Sequence, residues 1–407
     1  MIDAHTPRIP CLVYTGTGDN IFTLTPADGQ VRQLTWSWDV KTVNETKPPP
    51  SVVHPTHAWP VWAPDGSRVA CFAIRETQGA KLETRLYAIA ADGVQSWELA
   101  DLAGGMPIYG NWSPKADVFA MLVQRGERRL SLEVVPLAHP GQATVLVSGA
   151  PLFWSWSPRG DRLAVHVGSG QPTPTGARVL VLDVTSGQLV REVSHHPGEF
   201  RVPAWSPQDD LLAYVEQDEQ GRSKLLLCDI ETGESAPVAM VTGTTAALWS
   251  ANGRFLAFGC ASRPGSLTFS SVKGLDLASG KILPLLDQAS AGFFWSPQAE
   301  ALLYFSIDAQ RSYLRWHYLH RTNGENTELV RFLPSREQTF VFSFFDQYAY
   351  SHPPVAPDGS ALTFAGHLIA DEPLDPATSS QIYVLPLVHT APPRPVARGR
   401  FVCWNLG

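Results

Sequence analysis

The sequence is short of charge. Asp, Glu, Lys and Arg make up 17% of its 407 residues, against about 25% in an average soluble domain. It has no Lys/Arg-rich run, and its formal net charge is −7. A nucleic-acid binder carries a basic stripe that displaces counterions from phosphates, so neither nucleic acid nor an anionic membrane surface is an expected partner. No stretch approaches the ~20 apolar residues that cross a bilayer, so no membrane insertion is expected. The first residues, MIDAHTPRIPCLVYTG, lack a basic n-region and an apolar h-region. That gives the expectation of a cytoplasmic chain. Cysteine is sparse too. Cys11, Cys71, Cys228, Cys260 and Cys403 are odd in number and widely spaced, with no C-x-x-C. Reduced, buried thiols are expected rather than a disulfide framework. There is also no G-x-S-x-G nucleophile elbow, which argues against a peptidase of that triad type.

What the chain does have is turns and aromatic rings: 32 Gly, 34 Pro and 13 Trp. Long helices do not tolerate that much Gly and Pro. One unit recurs, with Trp, then Ser/Ala-Pro-x-Gly or a variant, then an aliphatic-Ala-aromatic run. The copies are VWAPDGSRVACFAI (61–74), NWSPKADVFAMLV (111–123), SWSPRGDRLAVHV (155–167), AWSPQDDLLAYVE (204–216), LWSANGRFLAFGC (248–260), FWSPQAEALLYFS (294–306) and PVAPDGSALTFAG (354–366). Their key positions are Trp62, Trp112, Trp156, Trp205, Trp249, Trp295 and Val355. The spacing brackets the roughly 40–50-residue period of a propeller blade. Each copy reads as a hairpin: Pro sets φ, Asp bonds back to the backbone and Gly takes positive φ. Two more strand-like segments follow each hairpin, giving a four-stranded meander.

The ends complete the pattern. Residues 400–407 read as a first strand with its Trp at Trp404, and residues 11–35 as three strands without a first one. Together they make a closing blade. The expected fold is therefore all-β, one β-propeller over residues 1–407, with four-stranded antiparallel blades. The internal blades start near 60, 110, 153, 202, 246, 292 and 353. Eight blades is the count the repeats give. Seven is the alternative, because the last copy lacks its Trp and follows an irregular stretch.

These repeats resemble the TolB-type (WD-like) propeller family, whose hallmark is x-W-S-P-D-G before an aliphatic-Ala-aromatic strand. The resemblance covers nearly the whole chain. It implies the fold. It leaves function open among scaffolds, accessory domains of enzymes and lyases.

Loop lengths point to one face. In a meander blade the second-to-third-strand loops and the blade-to-blade connections share a face. The long insertions fall there: 36–59, 74–84, 168–177, 194–202, 261–271, 334–353 and 366–380. Long loops in compact domains are functional or disordered. Trp36, Trp38, Phe340, Phe344, Phe345, Tyr348 and Tyr350 are the candidate partner-binding residues. For 334–353 the competing reading is an extra strand packed on a blade. These features support a non-catalytic scaffold presenting the long-loop face to a protein or peptide, with no cofactor. The alternative is a metal-dependent lyase or hydrolase acting on a carbohydrate or small polar substrate. It rests on His54 and His57 meeting His195, His196, His352 or His367 around a divalent metal, since a catalytic zinc site needs three protein ligands. Asp39, Asp346 or Asp371 would then supply a carboxylate. The competing reading leaves His54 and His57 on a Pro-rich surface arm. His317 and His320, three apart on a strand, fall on opposite faces and do not chelate together. The repeated Trp residues are read as structural.

Overall fold

The computed structural model describes residues 9–36, 55–77, 81–126, 129–168, 176–261, 263, 266, 268–308, 310, 313–369, 379–387 and 391–406. They form seven antiparallel sheets, six of four strands and one of seven. The fifth repeat shows the common plan: Thr245–Trp249, Phe255–Ala261, Phe269–Asp276 and Lys281–Leu286, paired in that order. The strand carrying the repeat Trp always lies at one end of its sheet. In the seven-stranded sheet the sixth and seventh repeats are joined, because Asn326–Pro334 also pairs with Ala361–Leu368. The first strand of the seventh repeat is reduced to a single bridge, Val355 to Leu362.

The turns form as their residues require. Asp65 Oδ1 accepts the Ser67 amide at 3.0 Å, and Gly66 takes φ +64°. The same device returns at Asp358, which accepts the Ser360 amide at 2.9 Å with Gly359 at φ +76°. These are the short side-chain bonds and the left-handed glycine of a tight turn.

The sheets close into a ring. First strands of successive repeats touch: Ala204–Trp205 meets Leu152–Trp156 on one side and Thr245–Trp249 on the other. Phe401–Trp404 pairs with Leu12–Thr15, so the expected closing sheet forms from both ends of the described chain. Between sheets, the repeat Trp acts as spacer and donor. Trp249 Nε1 donates to Ala204 O at 2.9 Å, and Trp295 Nε1 to Leu248 O at 3.1 Å. Trp156 Nε1 uses the Asn111 Oδ1 instead, at 3.0 Å. Trp62, Trp112, Trp205 and Trp404 have buried indole nitrogens without a partner.

The cysteines are free, and burial raises the thiol pKa of Cys71 to about 12. No described helix is long and apolar enough to cross a membrane. His317 and His320 point apart as expected. His317 stacks on Tyr304, and His320 meets Thr322 Oγ1.

The indole bonds give a test. Trp249→Phe should cost about 1 kcal/mol more than Trp205→Phe, because only the first strands a backbone acceptor. Urea midpoints of the two variants check this. Equal losses would mean the bond contributes nothing.

Candidate functional site

The residues between the sixth and seventh repeats do not form a strand or an open loop. Ser335 Oγ accepts the Gln338 amide at 3.0 Å and caps helix α1, Arg336–Ser343. A short second helix follows, α2, Phe345–Tyr348. The extra-strand reading of 334–353 is therefore corrected. Ser335 and Gln338 have the spacing of a capping box, and Phe340, Phe344 and Tyr348 recur every four residues, as on one face of a helix.

This insert fills the middle of the ring. Helix α2 touches the first strands of the third, fifth and sixth repeats, and α1 touches Phe401–Trp404. Those first strands expose an unpaired backbone edge toward the axis, and the insert pairs with it. Gln347 Nε2 donates to Trp154 O at 2.9 Å, while Gln347 Oε1 accepts the Trp154 amide at 3.1 Å. The Tyr350 hydroxyl accepts the Trp249 amide at 2.7 Å. Tyr109 donates to Gln347 O at 3.0 Å, and Pro353 O accepts the Trp404 amide at 3.0 Å.

A buried ion pair holds the junction of the helices. Arg201 Nε lies 3.2 Å from Asp346 Oδ2 and Nη2 lies 3.0 Å from Oδ1. Arg201 Nη1 also donates to Ser343 O, and its guanidinium stands 5.4 Å from the Phe344 ring. Burial raises the Asp346 carboxyl above its ordinary range, and the Arg201 charge offsets part of that.

The predicted aromatics divide. Phe345 and Tyr348 are buried. Phe345 packs 5.0 Å from Phe293, so it serves the core and does not face outward as the loop reading had it. Phe340 and Phe344 are half-buried, and Tyr350 is 39% exposed. Phe340, Phe344 and Tyr348 meet Phe153, Leu152 and Ile108 around an apolar hollow of about 230 Å³ on the long-loop face. Trp36 is not with them. It is exposed and borders a separate groove with His57 and Tyr87. Trp38 lies outside the described residues.

On the opposite face, the insert forms the floor of a basin of about 270 Å³. Its rim is built from the Trp-Ala-Pro or Trp-Ser-Pro turns of the first four repeats, including Pro64, Pro114, Pro158 and Pro207. Sequence reasoning missed this basin, and it missed Arg201 and Gln347. The Ser335–Gln338 capping signal was the one available clue to the helices.

The described histidines do not form a metal site. His57 is not on a surface arm. It sits in the strand Thr56–Trp62, 8% exposed. His352 is buried against Ser351 Oγ at 2.7 Å. His195 is exposed, 3.1 Å from Glu192, and His196 is exposed beside it. His367 is half-buried in the strand Ala361–Leu368. His54, Asp39 and Asp371 lie outside the described residues. Among the described residues no group of three or more His, Cys, Asp or Glu side chains could hold a metal, so these donors do not fit one.

No family model and no curated protein matches the chain. Solved structures do. An oligogalacturonate lyase in complex with manganese is 14% identical, with a TM-score of 0.51 over 92% of this chain and 95% of that one. The β-propeller domain of the Trilobed protease from Pyrococcus furiosus is 8% identical, with a TM-score of 0.50 over 85% and 99%. A eukaryotic initiation factor is 9% identical, with a TM-score of 0.56 over 98% of both chains. TolB proteins also match, at a TM-score of 0.42. So does puromycin hydrolase at 0.48, and the chain spans 50% of that protein's length. At these identities the likeness shows the β-propeller fold alone.

Burial of several histidines, His57 and His352 most strongly, makes the fold sensitive to acid. Burial lowers the pKa of His57 to about 4 and of His352 to about 3, against about 6.5 in the unfolded chain. The folded state thus binds fewer protons. Stability is fully present above pH 6.5 and lost as pH falls toward those folded values, by about 1.4 kcal/mol per pH unit for each histidine. Urea midpoints at pH 7, 6 and 5 should fall, and His352→Gln should flatten the slope by one histidine's share.

Proposed function

We propose that this β-propeller is a non-catalytic binding module whose long-loop face takes an apolar side chain of a protein or peptide partner. One juxtaposition supports it. The chain places Phe340, Phe344 and Tyr348 from the insert against Phe153 and Leu152 of the third repeat. The hollow they line is the size of a single bulky side chain, and Phe340, Phe344 and Phe153 are all half-buried at its mouth. Interfaces concentrate their energy in such desolvated pockets, filled by aromatic or aliphatic anchors. The walls are rigid. Gln347 and Tyr348 are bonded to the inner strands, with Tyr348 Oη 3.4 Å from Ile108 O. A preformed pocket loses little freedom on binding.

Selection of a displayed peptide library on the full chain tests this. Enriched peptides should share one bulky apolar residue. Phe344→Ala should weaken them at least tenfold and leave the melting temperature within a few degrees. His57→Ala should leave their affinity unchanged. No enrichment, or affinity indifferent to Phe344, would sink the proposal, as would stoichiometric metal uptake that His57→Ala abolishes.

A further inference from the structure

A third cavity, of about 430 Å³, lies beside α1 on the long-loop face. It is larger than the apolar hollow and the basin, and it falls within the roughly 300–1,000 Å³ of sites for drug-sized ligands. Thr339, Phe342 and Ser343 of α1 line it, whereas Phe340 and Phe344 of the same helix line the apolar hollow. The two cavities thus use different flanks of one helix. Taken around the ring, the lining of the third changes from polar to apolar. Arg201, ahead of the fourth repeat's first strand, begins it, and Thr244 and Ser266 follow from the fifth repeat. The sixth repeat then supplies Phe305, Ile307, Leu314 and Leu333. Phe305 and Phe342, 2% and 3% exposed, pack together 4.9 Å apart. Ile307 and Leu314 are cross-strand partners, and Ile307 is 41% exposed.

The hydrogen bonds at the polar end restrict what fits there. A guanidinium carries five N–H groups. In Arg201, Nε and Nη2 meet the Asp346 carboxylate and one hydrogen of Nη1 goes to Ser343 O, which leaves one hydrogen on each Nη for an acceptor. The hydroxyls have the opposite need. Thr339 Oγ1 donates to Ser335 O and Ser343 Oγ to Thr339 O, each at 2.8 Å, and Ser266 Oγ donates to Thr268 O at 3.0 Å. With their hydrogens used inside the chain, these oxygens accept only. Charge is balanced as well. Arg201 is the one charged residue among the described lining, and Asp346 neutralises it. Ser343 closes α1, and a helix C-terminus disfavours a negative charge. A carboxylate would have no hydrogen for the hydroxyl oxygens. An ammonium would have no acceptor for Arg201 and would lie beside its charge. A carboxamide accepts through its oxygen and donates through its nitrogen, on two adjacent atoms.

We infer that this cavity binds a small uncharged amide bearing a medium-length apolar chain. The amide lies at Arg201 and Ser343, and the chain runs along Phe342 to the apolar wall of the sixth repeat. The chain accounts for affinity through the apolar surface it covers, and the amide fixes its direction. The site is separate from the apolar hollow and does not depend on a partner occupying it.

Titration of the full chain with octanamide, followed by ligand-observed NMR at pH 7, tests this. Octanoate, octylamine and acetamide are the comparison probes. Octanamide should bind at least tenfold more tightly than each of them. Ile307→Glu, at an exposed position of the apolar wall, should weaken octanamide at least tenfold with an unchanged melting temperature. Thr339→Val combined with Ser343→Ala, both exposed, should remove the preference for octanamide over octanoate, a change of selectivity that a loss of fold would not produce. Phe340→Ala, on the other flank of α1, should leave octanamide binding intact. Octanoate or octylamine binding as tightly as octanamide would overturn the inference. So would no binding of octanamide, acetamide binding equally well, or affinity indifferent to Ile307→Glu.

Discussion

The inner edge of every sheet sets the terms for this molecule. A strand at the end of a sheet has unpaired N–H and C=O groups, and here that strand faces the axis of the ring. Left buried and unmade, each such group costs about 1–3 kcal/mol. At the third and fifth repeats the chain meets the constraint with side chains of a single insertion. The Gln347 amide stands in for a neighbouring strand at Trp154, accepting and donating as a backbone would. Tyr350 does the same at Trp249 with one hydroxyl, accepting at 2.7 Å and donating at 3.3 Å. The middle of the ring is thus built from the same bonds that build the blades.

Everything of functional interest follows from that plug. Because α1 and α2 occupy the axis, two hollows stand on either side of one wall, and Trp154 and Gln347 border both. Arg201 fixes the bend between the helices by holding Asp346 and the Ser343 carbonyl together. Removing one partner of such a buried pair leaves the other charge uncompensated. The bend is therefore held from the fourth repeat, and the insert and the ring depend on each other.

The repeat architecture was readable because its signal is local. Trp, Pro, Asp and Gly sit within a few residues of one another, and each acts on its own turn or strand. Even the joining of Leu12–Thr15 to Phe401–Trp404 could be inferred, since each end supplied the strands the other lacked. The plug was not readable in the same way. A run holding Phe340, Phe342, Phe344 and Phe345 suits a strand by composition, and the helix is announced only by Ser335 and Gln338. Its partners are remote in sequence. Trp154 lies 193 positions from Gln347, and Arg201 lies 145 from Asp346. His57 was misplaced for a related reason: the strand Thr56–Trp62 begins within the stretch read as a Pro-rich arm.

The joining of the two distant strands has a kinetic meaning. Each four-stranded sheet folds through contacts near in sequence, so the sheets can grow as a linear stack before the insert bonds across them. The pairing of Leu12 with Trp404, and the Cys11 amide bond to Asn405 across 394 positions, are different in kind. Closing so long a loop is slow to find, although each doubling of loop length adds only about 0.6 kcal/mol. Among the described strands the two ends of the chain are therefore joined by one clasp. Freeing the Phe401–Trp404 strand would open the ring at that seam, and α1, which rests partly on that strand, would lose part of its seat in the same event.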